Sequence, residues 1–190
     1  MKKDLGVKPY VFPMPVLLIS TYNADNTVDV MNMAWGGVCG SNMVALNIDE
    51  DHKTPQNIKE RMPLTLGVDD NAQREAAYFL GIDSGNKMAD NVVRSGLHAV
   101  KGEKVDAPVV EEFPLTLECK VVECQNTVYG FRVLGEIVGV LAEESVLDDK
   151  GKVDPKRLNA FVFDQFQSGY YAIGEKVGQA WHTGAGLMKG

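Results

Sequence analysis

The stretch 115-LTLECKVVECQNTVYGFRVLGEIVGVLA-142 decides the fold. Two runs rich in β-branched and apolar residues, 115-LTLECKVVECQ-125 and 131-FRVLGEIVGVLA-142, flank the short polar and glycine-containing piece 126-NTVYG-130. Long strand-like runs joined by so short a loop can only pair antiparallel, because a parallel return needs a crossover of a dozen residues or more. The same grammar recurs upstream. The runs 16-VLLIST-21, 28-VDVMNMAW-35, 43-MVALNI-48 and 64-LTLGV-68 are each bounded by Pro, Gly, Asn or Asp, and 23-NADN-26 makes a hairpin turn between the first two. Within 27-TVDVMNM-33 the alternation puts Val28, Val30 and Asn32 on one face. Strands without regular helical crossovers, and the need to hide strand edges, point to an antiparallel sheet closed or nearly closed into a barrel.

Helices fall at the connections. In 54-TPQNIKERM-62, Thr54 reads as the N-cap, Pro55 stands in the first turn and Pro63 ends the segment. The stretches 72-AQREAAYFL-80 and 86-NKMADNVVRSG-96 read as further helices, the second ending at Gly96. The glycine-rich tail from about residue 174 reads as an arm on one domain spanning 1–190. Apolar residues make up 45% and charged residues 24% of the 190, an ordinary globular balance. The net charge of −7 and the lack of a basic stripe argue against a nucleic-acid partner. Pro13 and Pro15 interrupt the early apolar stretch, and no run is long enough to span a membrane, so a cytoplasmic protein is expected. The three cysteines fit a reducing compartment. Cys119 and Cys124, an odd distance apart in one strand, are expected on opposite faces, which disfavours a disulfide or shared metal.

Four features carry chemical interest. In 32-NMAWGGVCG-40 the large side chains stop after Trp35, and a bare strand backbone is either a barrel corner or a surface against which a flat heteroaromatic ring can lie, framed by Asn32 and Trp35. In 52-HKTPQN-57, Lys53 and Thr54 stand at a helix start, where unpaired N–H groups favour an anion. In 81-GIDSGNKMAD-90 the Walker pattern fails: three residues instead of four separate Gly81 from Gly85, Asn86 precedes Lys87, and Met88 stands where the hydroxyl belongs. Ser84, Gly85 and Lys87 nonetheless offer a second anion seat, or a plain surface turn. The fourth feature is histidine: His52, His98 and His182 form no metal-ligand spacing, and no GxSxG elbow or GxGxxG loop occurs. A bare strand and two separated anion seats together suggest a mononucleotide whose ring and phosphate bind at different places.

The ordered series 15-PVLLIST-21, 32-NMAW-35, 54-TPQN-57, 78-YFLGIDSGNKMADN-91, 96-GL-97, 107-APVVEEFPLTLEC-119, 135-GEIVGV-140 and 170-YYAIGEKVG-178 resembles the flavin reductase-like family of FMN-binding split barrels, in its flavoredoxin branch, from about residue 10 to 180. The resemblance implies a mainly β fold, a six-stranded antiparallel split β-barrel of Greek-key type with peripheral helices, working as a homodimer with FMN at the subunit interface. It implies that Asn32, Met33, Ala34 and Trp35 lie along the isoalloxazine ring. Lys53, Thr54, Ser84 and Lys87 would surround the phosphate, and Asn57 matches the family's helix-start pattern. Many relatives carry a basic residue at the position of Asn91, in a pattern SGxKxDK, and this chain departs from them there. The implied activity is NAD(P)H-dependent flavin reduction, with no side chain acting as general acid or base. The alternatives are an FMN-bound electron carrier fed by a redox protein partner, and a flavin-binding module without turnover.

Overall fold

A computed structural model of the chain describes residues 1–71, 74–82, 86, 91–181 and 183. Its strands are β1 (Met14–Pro15), β2 (Leu17–Tyr22), β3 (Val28–Met33), β4 (Gly36–Val38), β5 (Met43–Ile48), β6 (Pro63–Val68), β7 (Ala99–Lys101), β8 (Pro108–Val110), β9 (Leu115–Thr127), β10 (Gly130–Ala142), β11 (Phe161–Asp164) and β12 (Gly169–Ala172). The helices are α1 (Lys53–Arg61), α2 (Arg74–Ile82), α3 (Asn91–Ser95) and α4 (Pro155–Leu158). The main sheet is antiparallel throughout, in the order β3-β2-β6-β9-β10-β5-β4.

That order dictates a curled sheet. Its two edge strands, β3 and β4, follow one another in the chain with only Ala34 and Trp35 between them. Laid flat, seven strands would hold their edges about 29 Å apart at the usual interstrand spacing. Three Cα steps from Met33 to Gly36 reach about 11 Å at most. The sheet therefore rolls until its edges meet at Ala34–Trp35, and since β3 and β4 do not pair, the barrel is split along that seam. The strand count is seven rather than the expected six, the extra one being three-residue β4, whose ladder to β5 hides in a glycine-rich stretch with no strand propensity.

Both faces of the sheet are covered. The barrel interior holds Ile19, Met31, Met33, Leu46, Leu66 and Phe131 among others, with Ile58 of α1 packed into the same cluster. The outer face, through Leu18 and Val30, packs against Ala77 and Leu80 of α2, Val92 of α3, Val110 of β8 and Phe161 of β11. Val28 and Val30 share that outer face, as the alternation indicates, and Asn32 joins them by donating to Ala77 O of α2 at 3.0 Å.

Three local expectations need correction. Cys119 and Cys124 both pack on the interior cluster rather than on opposite faces. Val122 has no partner between the Glu123–Leu134 and Val121–Gly135 pairs, and this bulge shifts the alternation by one residue. Thr54 is not the cap of α1. His52 occupies that position without a side-chain cap bond, and Thr54, one turn position further in, is buried and bonded elsewhere. The loop at 126–130 is tighter than the sequence suggests, since the strands run to Thr127 and resume at Gly130, whose φ of +111° no other residue adopts easily.

Candidate functional site

The seam is open to solvent. A recess of about 560 Å³ lies along it, walled by Met31, Asn32, Met33 and Trp35 on one side and by Asn47, Ile48 and Asp49 on the other. His52, Gly81 and Tyr129 complete the rim. Trp35 O accepts from Asn47 N at 2.9 Å, which carries the β4–β5 ladder into the seam, while the Trp35 side chain stays half exposed. The two bare glycines have different causes. A Cβ on Gly36 would lie 2.7 Å from Leu46 Cδ2 and 3.1 Å from Ala45 O, so barrel packing favours glycine there. One on Gly37 would meet nothing within 4 Å, and this residue fronts a neighbouring recess of about 390 Å³ that also holds Arg132.

One end of the seam recess is the start of α1. With no side-chain cap, and with Pro55 lacking an N–H, the helix start offers the N–H groups of Lys53 and Thr54 and the positive end of its dipole. Among the described residues, the Lys53 ammonium reaches only Gln56 Oε1, at 3.3 Å. Beneath it the polar side chains are committed to the fold: Thr54 Oγ1 donates to Asp29 Oδ2 at 2.7 Å, and Asn57 Nδ2 donates to Thr21 Oγ1 at 3.0 Å and Asn23 Oδ1 at 2.9 Å. Burial pushes the Asp29 carboxyl above its usual range despite the hydrogen bonds from Thr54 and Thr21 and the nearby Lys53 charge. Thr54 and Asn57 thus pin α1 to the β2–β3 hairpin, leaving Lys53 and the helix-start amides to face outward.

The second anion stretch converges on the first. Asn86 Nδ2 donates to Asp51 O at 2.7 Å, immediately ahead of α1. Ser84 and Lys87 lie outside the described residues. Asp49, Asp51 and His52 bring ligand atoms within 4.8 Å of one another, but both carboxylates are exposed, as a solvated loop requires.

A family model, the flavin reductase like domain, matches residues 10–161. The chain belongs to the flavin reductase-like family. The computed structure is similar to the flavoredoxin of Desulfovibrio vulgaris (Miyazaki F), at 34% identity and TM-score 0.91 over 97% of this chain and 100% of that one. It is also similar to the flavoredoxin from Methanosarcina acetivorans, at 26% identity and TM-score 0.89 over 98% and 100%. In fold it further resembles an FMN-binding domain of a flavin reductases-like enzyme from Shewanella baltica OS155, at 21% identity and TM-score 0.75 over 87% and 88%. No curated protein matches the chain.

Within this flavin reductase-like barrel, Asn32, Met33, Ala34 and Trp35 all stand at the seam, with Ala34 lining a smaller recess behind it. Sequence reasoning found no metal-ligand spacing for His52 and did not place it, Gly81 or Tyr129 on the rim. A Cβ on Gly81 would sit 3.3 Å from the Asn32 side chain, a close approach no local pattern reveals. Asn91, the departure from the SGxKxDK pattern, is buried at the start of α3, and its Oδ1 accepts from Val92 N at 2.8 Å. His98 is tied to Glu112, at 2.7 Å from Nδ1 to Oε1, and does not line the seam.

Proposed function

We propose that this flavin reductase-like protein binds FMN at the β3–β4 seam and passes electrons from NAD(P)H through it to an acceptor. The observation that carries the reading is the convergence of stretches far apart in sequence, 31–35, 47–49 and His52, on one open recess beside the uncapped start of α1, where Asn86 is tied to the backbone of Asp51. The residues fit the group. A recess of about 560 Å³ lies within the range of roughly 300–1,000 Å³ typical of cofactor sites. Its long wall is backbone and apolar side chain, suited to a flat ring, and its end offers amides and Lys53, suited to a phosphate. Ser84 and Lys87 would add to that seat through their neighbour Asn86, offsetting the charges of Asp49 and Asp51. When bound, FMN would supply the redox chemistry. The chain's own part is to orient the ring along 32–35, neutralise the phosphate, and present one ring face to solvent for the nicotinamide.

Two large groups on the rim, Trp35 and Tyr129, are exposed, and a second copy of the chain covering them would complete the site as a homodimer. The free cysteines accord with a cytoplasmic setting; no described helix is long and apolar enough to cross a membrane. A second reading, an FMN-bound electron carrier reduced by a protein partner, draws on the likeness to two flavoredoxins. An anaerobic titration of the FMN-loaded protein with NADH and then NADPH separates the two. Bleaching of the visible flavin band by either nicotinamide supports the reductase, whereas bleaching by dithionite alone supports the carrier.

A further inference from the structure

Where the end of α1 meets β9 lies another recess, of about 370 Å³, lined by Met62, Pro63, Val105 and Val121 and by the charged residues Lys104, Asp106 and Lys120. It shares no lining residue with the seam recess. Hydrogen bonds fix its walls. Glu118, fully buried, accepts from Lys104 N at 2.8 Å through Oε1, and Gly102 N donates to Ala107 O at 2.9 Å, which together hold the β7–β8 loop in place. On the other side Val121 N donates to Met62 O at 3.1 Å. Met62 itself stands at a φ of +70°, just past the end of α1, where helices usually place glycine. A large side chain is held there against backbone preference, half exposed, on the lining of the recess.

The lining restricts the occupant. Its apolar part is wholly aliphatic, and Val105 and Val121 are buried, so it offers a saturated chain a dry surface but gives an aromatic ring nothing to stack on. Lys104 and Lys120 are exposed and form no ion pair among the described residues, whereas Asp106 is met by Lys101 at 3.1 Å. With the buried Glu118 included, three lysines stand against two carboxylates, a local positive surplus on a chain of net charge −7. The negative end of α1 beside Met62 is offset by Lys59 and Arg61 in its last turn. Ammonium groups on flexible stems serve a compact anionic head as mobile point charges. The volume falls near the low end of the range of roughly 300–1,000 Å³ for small-molecule sites. We propose that this recess binds a small aliphatic monocarboxylate, its head on Lys104 and Lys120 and its chain over Met62, Val105 and Val121.

Isothermal titration of the full chain with octanoate, with and without saturating FMN, tests the site. The expected result is saturable one-to-one binding, at least tenfold tighter than that of octylamine, whose charge is reversed, and changed less than twofold by FMN. The double variant Lys104→Gln, Lys120→Gln should weaken octanoate at least tenfold, and Met62→Gly, which removes the chain contact and suits the positive φ, several-fold. Both lysines are exposed, so the double variant keeps the test decisive should Met62→Gly fail to fold. Absence of saturable octanoate binding, equal affinity for octylamine, an affinity unchanged in the double variant, or displacement of octanoate by FMN would each overturn the proposal. Octanoate bound as expected by a protein that takes up no FMN would uphold it while refuting the flavin reading.

Discussion

At the scale of single residues, the helix start of α1 separates groups that hold the fold from groups free to hold a ligand. Among the described residues, the Lys53 ammonium makes one hydrogen-bond contact, 3.3 Å to the neutral Gln56. Lys53→Ala is expected to weaken FMN binding by about 1–3 kcal/mol, the range for a charge-assisted hydrogen bond, with little effect on the melting temperature. A flavin titration of the variant checks this, and unchanged affinity would remove Lys53 from the site. Thr54 and Asn57 carry the same motif but point inward. Sequence could place all three at a helix start, yet could not see that Asp29, buried on the neighbouring hairpin, would claim the Thr54 hydroxyl.

Asp69 is a second buried carboxylate invisible to pattern reading. Its Oδ1 accepts from Asp70 N at 2.8 Å, its Oδ2 is buried without a partner, and burial raises its pKa from 3.8 to about 7. Because the folded-state value is raised, the unfolded chain releases this proton first. Stability is greatest below about pH 4 as far as this group is concerned, falls as pH rises between about 4 and 7, and is level above that, by up to about 1.4 kcal/mol per pH unit. Urea denaturation of the wild type and Asp69→Asn at pH 5 and pH 8 is expected to show a smaller loss toward alkaline pH in the variant. Equal losses would contradict it.

At the scale of elements, long regular strands were legible and short ones were not. The β2–β3 and β9–β10 hairpins follow from alternation and turn residues. β4, β7, β8, β11 and β12 have three or four residues each, too few for a period to register, and exist because a neighbour offers a ladder. The bulge at Val122 is of the same kind, a consequence of barrel curvature that reverses the facing of Cys124. Gly67 in β6 also depends on a neighbour rather than a propensity. A Cβ there would lie 2.2 Å from Phe113 Cδ2, so the ring of Phe113 packs directly on bare backbone. Gly67→Ala is expected to destabilise the protein by about 1–3 kcal/mol as Phe113 is displaced from its buried place, measurable as a lowered urea midpoint.

At the scale of the whole molecule, closure of the sheet makes the site. The two-residue link between edge strands forces the barrel to meet itself at Ala34–Trp35, and the crossover through α1 brings the helix start to the same place. The stretch 32–40 was readable as a segment whose backbone is bare after Trp35, but the opposition of 32–35 to Asn47–Asp49 and Tyr129 belongs to topology and lies beyond any local window. Exposed Trp35 and Tyr129 at that seam lead us to expect a dimer at micromolar concentration by analytical ultracentrifugation, with Trp35→Glu shifting it toward monomer. A wild-type protein that sediments only as monomer would count against an intersubunit site.

The central claim is that the seam is a flavin seat, and the direct test is titration of the full-length protein with FMN, following flavin fluorescence and the visible spectrum. The account expects saturable binding of one FMN per chain, with perturbed fluorescence and a shifted absorption band as the ring leaves water. Fluorescence and spectrum indistinguishable from free FMN at every ratio would contradict it.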